Sequence, residues 1–211
     1  MKDLPAFTTE SGVATIVLQE VPYSKTAYII VRDTPALKEF IAECVGFCRA
    51  AGAEKVYATG HEELKSYPYH TAIWKLEAEL SQIPQAGSCQ AITQENIGLW
   101  RQIYNEKMQG VLKAAYLTTF SLKKLLNEGN AYFVHRDGEL LGIGVATGDR
   151  IDAVASVVPG MGAQVVRALC HALSEDAVTV EVASTNQRAI KLYEKLGFVP
   201  VAELSRWYKI L

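Results

Sequence analysis

No run of apolar residues in this 211-residue chain approaches the roughly 18 uninterrupted positions that a membrane-crossing helix needs. The first twelve residues, MKDLPAFTTESG, lack the apolar segment of a secretory leader. The net charge is only -2, which supplies no bulk attraction to nucleic acid or to an anionic lipid surface. These absences lead us to expect a soluble cytoplasmic protein with neither nucleic acid nor membrane as partner. Cysteine is scarce as well. The four cysteines, Cys44, Cys48, Cys89 and Cys170, form no CxxC pair and have no histidine at ligand spacing, so no metal centre is expected. Cys44 and Cys48 lie one turn apart on the apolar face of a helix-period segment and read as buried thiols in a reducing compartment. The four histidines are scattered and form no triad.

What the chain does have is apolar content, 49%, sufficient for one good core or two small ones. Residues 13–21 and 26–33 read as strands joined by PYSK. Asp33 or Thr34 can cap a helix with Pro35 in its first turn and Leu37, Phe40, Ile41, Cys44, Val45 and Cys48 on its apolar face, stopping at Gly52. Residues 55–59 and 70–80 follow as strands. Residues 81–88, with Pro84 and Gly87, read as a linker, so we place a domain boundary there: 1–86 and 88–211. Beyond it, residues 93–113 hold one or two helices with Asn96 as a cap, and Ser121 opens a helix stopped at Gly129. Asp137-Gly138 joins two strands as a hairpin. A strand over 150–158 ends at Pro159, and Gly160-Met161-Gly162 leads into a helix carrying Val165, Val166, Leu169 and Leu173.

Residues 178–199, VTVEVASTNQRAIKLYEKLGFV, are the most informative stretch. Val178, Val180 and Val182 alternate with polar or small residues, as in a strand with one buried face. Ser184, Thr185 and Asn186 offer capping oxygens. Ala189, Leu192, Tyr193 and Leu196 then share one helical face, and Gly197 supplies the stop before a last hairpin that ends with an arm over 202–210.

The residues Asn186, Ala189, Leu192, Tyr193, Lys195, Gly197 and Phe198 resemble, position by position, the N-x-x-A-x-x-L-Y-x-K-x-G-F pattern of the GNAT superfamily, the Gcn5-related acyl-CoA N-acyltransferases. Val157 to Pro159 resemble the V-x-P that ends the family's central strand, and Gly160, Met161, Gly162 and Ala163 the end of its pyrophosphate loop. This chain departs from the pattern by omitting several residues, including an Arg or Gln, between that proline and the glycines. The resemblance covers 89–211 and implies an α+β, three-layer α/β/α fold. Its sheet would be mixed and mainly antiparallel, with a splayed central pair of parallel strands and a smaller N-terminal α+β unit. Residues 1–86 are similar in element order to 139–211 but lack both motifs. They read as a degenerate GNAT-like half domain unable to bind coenzyme A, or as an unrelated cap.

The chemistry that the resemblance implies is acyl transfer. Acetyl-CoA would be the co-substrate, held by Val157, Val158, Gly160, Met161, Gly162, Ala163, Gln164, Asn186 and Ala189. The Val158 amide would face the thioester oxyanion, and Tyr193 would protonate the departing thiolate. Asp152, Glu181 or a water held by either would take the proton of the attacking amine. The acceptor would be a small-molecule or peptide amine. Tyr104, Tyr116 and Phe120 are candidates to line its pocket, though core packing explains them equally, and a homodimer is compatible with the sequence. A non-catalytic acyl-CoA-binding or protein-interaction module is the alternative reading.

Overall fold

The computed structural model describes residues 6–109, 111 and 116–211, with the side chains of Thr119 and Phe120 outside that description. By contacts the chain forms two compact units, residues 1–73 with 203–211, and residues 74–202. The expected boundary segment, 81–88, lies within the second unit, where the Leu80 amide donates to the Asp176 carbonyl at 2.7 Å. The first unit's main segment ends at Ile73 and the second begins at Trp74.

In the first unit the strands β1 (Ala6–Thr9), β2 (Gly12–Val17), β3 (Thr26–Asp33), β4 (Lys55–Thr59) and the end of β11 (Val199–Lys209) lie side by side in that order. Two details differ from the sequence expectation. β1 adds a short strand, and β2 ends at Val17 because Val21–Ser24 forms a helical turn, α1, closed by Lys25 in the left-handed region (φ 56°). The helix α2 (Leu37–Ala50) buries Leu37, Phe40, Ile41, Cys44 and Cys48 against Ala27, Ile29, Val56 and Ala58. Thr34 is not its cap in the ordinary sense. Its hydroxyl donates to the Ser11 carbonyl at 2.6 Å and accepts from the Ala36 amide at 3.1 Å, tying the strand turn to the helix entry.

The second unit orders its strands as the end of β5 (Tyr69–Glu79), β10 (Ala177–Ala183), β9 (Arg150–Ser156), β8 (Glu139–Thr147), β7 (Ala131–Arg136) and β6 (Ser88–Ala91). β9 and β10 are parallel, whereas β8–β9, β7–β8 and β6–β7 are antiparallel. Helices cover both faces, giving three layers. On one side α3 (Ile97–Lys107) and α4 (Thr119–Glu128) pack Trp100, Tyr104 and Leu122 on Phe133, Ile143 and Val145. On the other, α5 (Gly162–Cys170) and α6 (Gln187–Lys195) pack Val165, Leu169, Ile190 and Tyr193 on Val134, Leu141, Val178 and Val180. The unit has the α+β, three-layer architecture expected, with a mixed and mainly antiparallel sheet.

Glycines in β8 set the distance of α5 from the sheet. A Cβ at Gly144 would lie 2.3 Å from Leu169 Cδ1, and one at Gly142 would lie 2.8 Å from Val165 Cγ2, so the helix sits directly on bare backbone. Three expectations are corrected here. The final hairpin is one continuous strand, β11, since nothing between Val199 and Lys209 reverses the chain. Asn96 caps no helix through its side chain, because its Oδ1 accepts from the Thr93 amide at 2.7 Å. Thr118 caps α4, accepting from the Ser121 amide, so that helix opens at Thr119 rather than Ser121.

Burial holds Cys44 and Cys170 protonated up to about 12, Cys48 and Cys89 up to about 11, and Tyr28 and Tyr193 up to about 12. Each group keeps its proton in the folded chain at pH values where the unfolded chain has lost it. Their stabilising effect is therefore complete below about pH 8.5 and lost as the pH rises toward 12. Urea denaturation across pH 8–11 should show stability falling steadily, and a flat profile would contradict it. A second prediction concerns Gly60 after β4, whose φ of +97° places a Cβ 2.3 Å from the Val31 carbonyl oxygen. Gly60→Ala should destabilise by on the order of 3 kcal/mol. Gly46→Ala, mid-helix with nothing within 4 Å, should stabilise by up to about 1 kcal/mol.

Candidate active site

The site begins where two parallel strands stop pairing. β9 and β10 share only the pairs Arg150–Thr179 and Ile151–Val180, although β9 continues to Ser156 and β10 to Ala183. Their upper halves therefore present backbone amides and carbonyls to a gap, and such groups require partners. A bulge in β9 accompanies the parting: Ala153 faces Val145 and Ile151 faces Ala146, leaving Asp152 as the extra residue. The corresponding parallel pair of the first unit behaves differently. β3 and β4 are paired without interruption from Thr26–Lys55 to Ile30–Thr59, and Gly60 then lies tight against Val31. That ladder leaves no slot.

At the upper end of β9 the Val157 amide donates to the Leu141 carbonyl at 2.9 Å, whereas the Val158 amide has no acceptor among the described residues. The chain then turns at once. The Val158 carbonyl accepts from the Met161 amide at 3.2 Å, with Pro159 and Gly160 (φ +82°) between them, the arrangement of a type II turn. This Pro-Gly turn replaces a longer loop and delivers the chain directly into α5. Met161 gives that helix no side-chain cap. The amides of Gly162, Ala163 and Gln164 are thus the first-turn donors, carrying the positive end of the helix dipole.

The 186–198 segment forms the facing wall. Asn186 Oδ1 accepts from the Ala189 amide at 3.2 Å and so starts α6. A Cβ at Gly162 would lie 3.3 Å from Leu192 Cδ2, so the start of α5 abuts α6. Tyr193 is 6% exposed, with its ring 5.5 Å from that of Phe198. Its phenol is pushed up to about 12 by burial, with Cys170 adding to the effect. Around the apolar cluster that contains Tyr193 pack Val158, Met161, Ala163, Ala189 and Leu192. The structure therefore gathers these residues of both sequence motifs at one place.

Asp152 stands apart from that cluster. Arg150 Nη2 meets its Oδ1 at 2.6 Å, and Arg150 Nη1 approaches Glu181 Oε1 at 3.7 Å. Both candidate bases thus belong to one ion cluster beside the last paired residues of the fork. Arg150 is a contact that sequence reasoning missed, and its alternation with Asp152 on one strand was the available signal. Of the residues considered for an acceptor pocket, Tyr104 is core, stacked 5.3 Å from Trp100. Tyr116 is 40% exposed, and the side chain of Phe120 lies outside the described residues. Asn105 is a further omission from the sequence reading. Its amide receives the Leu117 N–H at 2.9 Å and donates to the Leu117 carbonyl at 3.3 Å, tying α3 to the residue two positions before α4.

Residues 158–207 match the family model described as FR47-like protein. No curated protein matches the chain. Among solved structures, a functionally unknown conserved protein from Staphylococcus epidermidis superposes with TM-score 0.61 at 11% identity, covering 99% of this chain and 94% of its own. A GCN5-related N-acetyltransferase from Sphaerobacter thermophilus gives TM-score 0.56 at 12% identity, with 94% and 76% covered. A tandem GNAT protein from the clavulanic acid biosynthesis pathway gives 0.52 at 15%, with 94% and 78% covered. No helix of the described residues is long and apolar enough to cross a membrane. The parted strands, the turn into α5 and the capped α6 together with these matches show a protein of the GNAT fold, with an FR47-like segment over residues 158–207.

Proposed function

We propose that this protein is an N-acetyltransferase that moves an acetyl group from acetyl-CoA to a primary amine by direct attack. The observation that carries the reading is the β9–β10 ladder, which ends after two pairs beside an unengaged Val158 amide. An extended chain bearing amides, such as the pantetheine arm, matches those unpaired groups as an added strand would. The first-turn amides of α5 suit a phosphate group.

In this reading the Val158 N–H stabilises the oxyanion that develops as the amine nitrogen bonds to the thioester carbon. The C–S bond then breaks, and the Tyr193 hydroxyl passes its proton to the leaving sulfur. A phenol raised to about 12 holds its proton throughout the neutral range. Donation to a thiolate of lower proton affinity is therefore concerted with departure rather than a separate step. The amine's surplus proton leaves through water or through the Asp152–Arg150–Glu181 cluster. The first unit, with its closed parallel pair, takes no co-substrate.

A second reading, an acyl-CoA-binding module without turnover, is favoured by one observation: Arg150 engages both candidate carboxylates. Calorimetry with acetyl-CoA and an amine panel separates the two. The enzyme reading expects binding tighter than about 1 mM and thiol release with at least one amine. Binding without release across the panel favours the module, and no binding removes both. Tyr193→Phe should lower turnover by about 10²-fold while acetyl-CoA affinity stays within about twofold. Unchanged turnover would take Tyr193 out of the mechanism.

A further inference from the structure

A pocket of about 540 Å³ opens on the second unit, where residues 85–88, the β7–β8 turn and the first two turns of α5 come together. Its wall includes Gly87, His135, Arg136, Asp137, Gln164 and Arg167. Arg167 is the anomaly. Its Nε is fully buried and has no hydrogen-bond partner, and no ion pair engages its guanidinium among the described residues. The half-buried Arg167 lines the pocket, and a guanidinium without a carboxylate partner is a donor for an anion there through charge-assisted bonds. Gln164 stands three residues earlier on the same helix, within reach of the same side. Arg136 adds a second guanidinium, engaged among the described residues by its exposed neighbour Asp137 at 3.4 Å. The floor is fixed, since a Cβ at Gly87 would lie 2.6 Å from the His135 carbonyl oxygen.

We propose that this pocket binds a phosphate-class oxyanion, with Arg167 as its principal ligand and Gln164 and Arg136 beside it. The location gives the proposal its sense. The Pro-Gly turn before α5 carries no cationic side chain, and Arg167 supplies a guanidinium from within the helix instead. Two sources have the right chemistry: the phosphates of acyl-CoA, which rests on the function proposed above, or the phosphate of a separate molecule, which does not.

Titration of inorganic pyrophosphate and phosphate into the wild-type chain, Arg167→Gln and Arg167→Lys, followed by calorimetry, tests the proposal, with thermal melts to show that each variant folds. Saturable binding is expected in the wild type. A loss of about tenfold or more is expected in Arg167→Gln, with Arg167→Lys between the two. A parallel series with acetyl-CoA and acetyl-pantetheine identifies the source. If the phosphates of acyl-CoA occupy the pocket, Arg167→Gln weakens acetyl-CoA but not acetyl-pantetheine, and pyrophosphate competes with acetyl-CoA. If a separate molecule occupies it, acetyl-CoA affinity is unchanged while pyrophosphate binding is lost. Pyrophosphate and phosphate that do not bind, or that bind equally to wild type and Arg167→Gln, would overturn the proposal. Because those arms need no acetyl-CoA, the pocket and the proposed function fail separately.

Discussion

The interruption of hydrogen bonding between β9 and β10 is the constraint on which the second unit depends. Two parallel strands that stay in one sheet yet pair at only two positions must be held apart by what surrounds them. The bulge at Asp152, the helix α5 seated on Gly142 and Gly144, and the contact between Gly162 and Leu192 all act on that fork. The result is an opening edged by unpaired backbone, the feature on which the proposed binding of an extended amide chain rests. The first unit has the same local order of parallel strands but keeps every pair between Thr26–Lys55 and Ile30–Thr59. Closure at Gly60 against Val31 explains physically why similar element order need not carry similar chemistry.

Most of the second unit was legible in the sequence because its signals are local. The Val178, Val180 and Val182 alternation, Asn186 as cap, the face of α6 and the Gly197 stop are each set by residues within a turn or two of one another. So was the hairpin around Asp137 and Gly138. What could not be read depends on contacts distant in the chain. β1 is four residues long and is identified as a strand only by its pairing with β2. The Val199–Lys209 stretch read as part of a hairpin, and its continuity as one strand with Pro200 inside it depends on strand pairing rather than on composition.

The same distinction applies to the candidate site. Tyr193 was visible because a motif surrounds it, but its burial and raised proton affinity come from Phe198, Cys170 and the core they complete. Asp152 read as a candidate base, and its pairing with Arg150, together with the reach of Arg150 to Glu181 on another strand, emerged only in three dimensions. The missing loop residues before α5 were plain in the sequence. That Arg167, without an ion-pair partner among the described residues, lines a pocket beside Gln164 was not, since the walls of that pocket come from segments as far apart as residues 85 and 167.

We propose that the β9–β10 fork is the acyl-CoA slot and that the first unit has none. Backbone amide NMR of the whole chain during an acetyl-CoA titration tests it most directly. Saturable shifts are expected at the amides of residues 152–164 and 181–189, Val158 among the largest, with Ala27 to Ile30 and Val56 to Thr59 unmoved. Shifts centred on the β3–β4 pair, or saturation that leaves Val157 and Val158 in place, would contradict it.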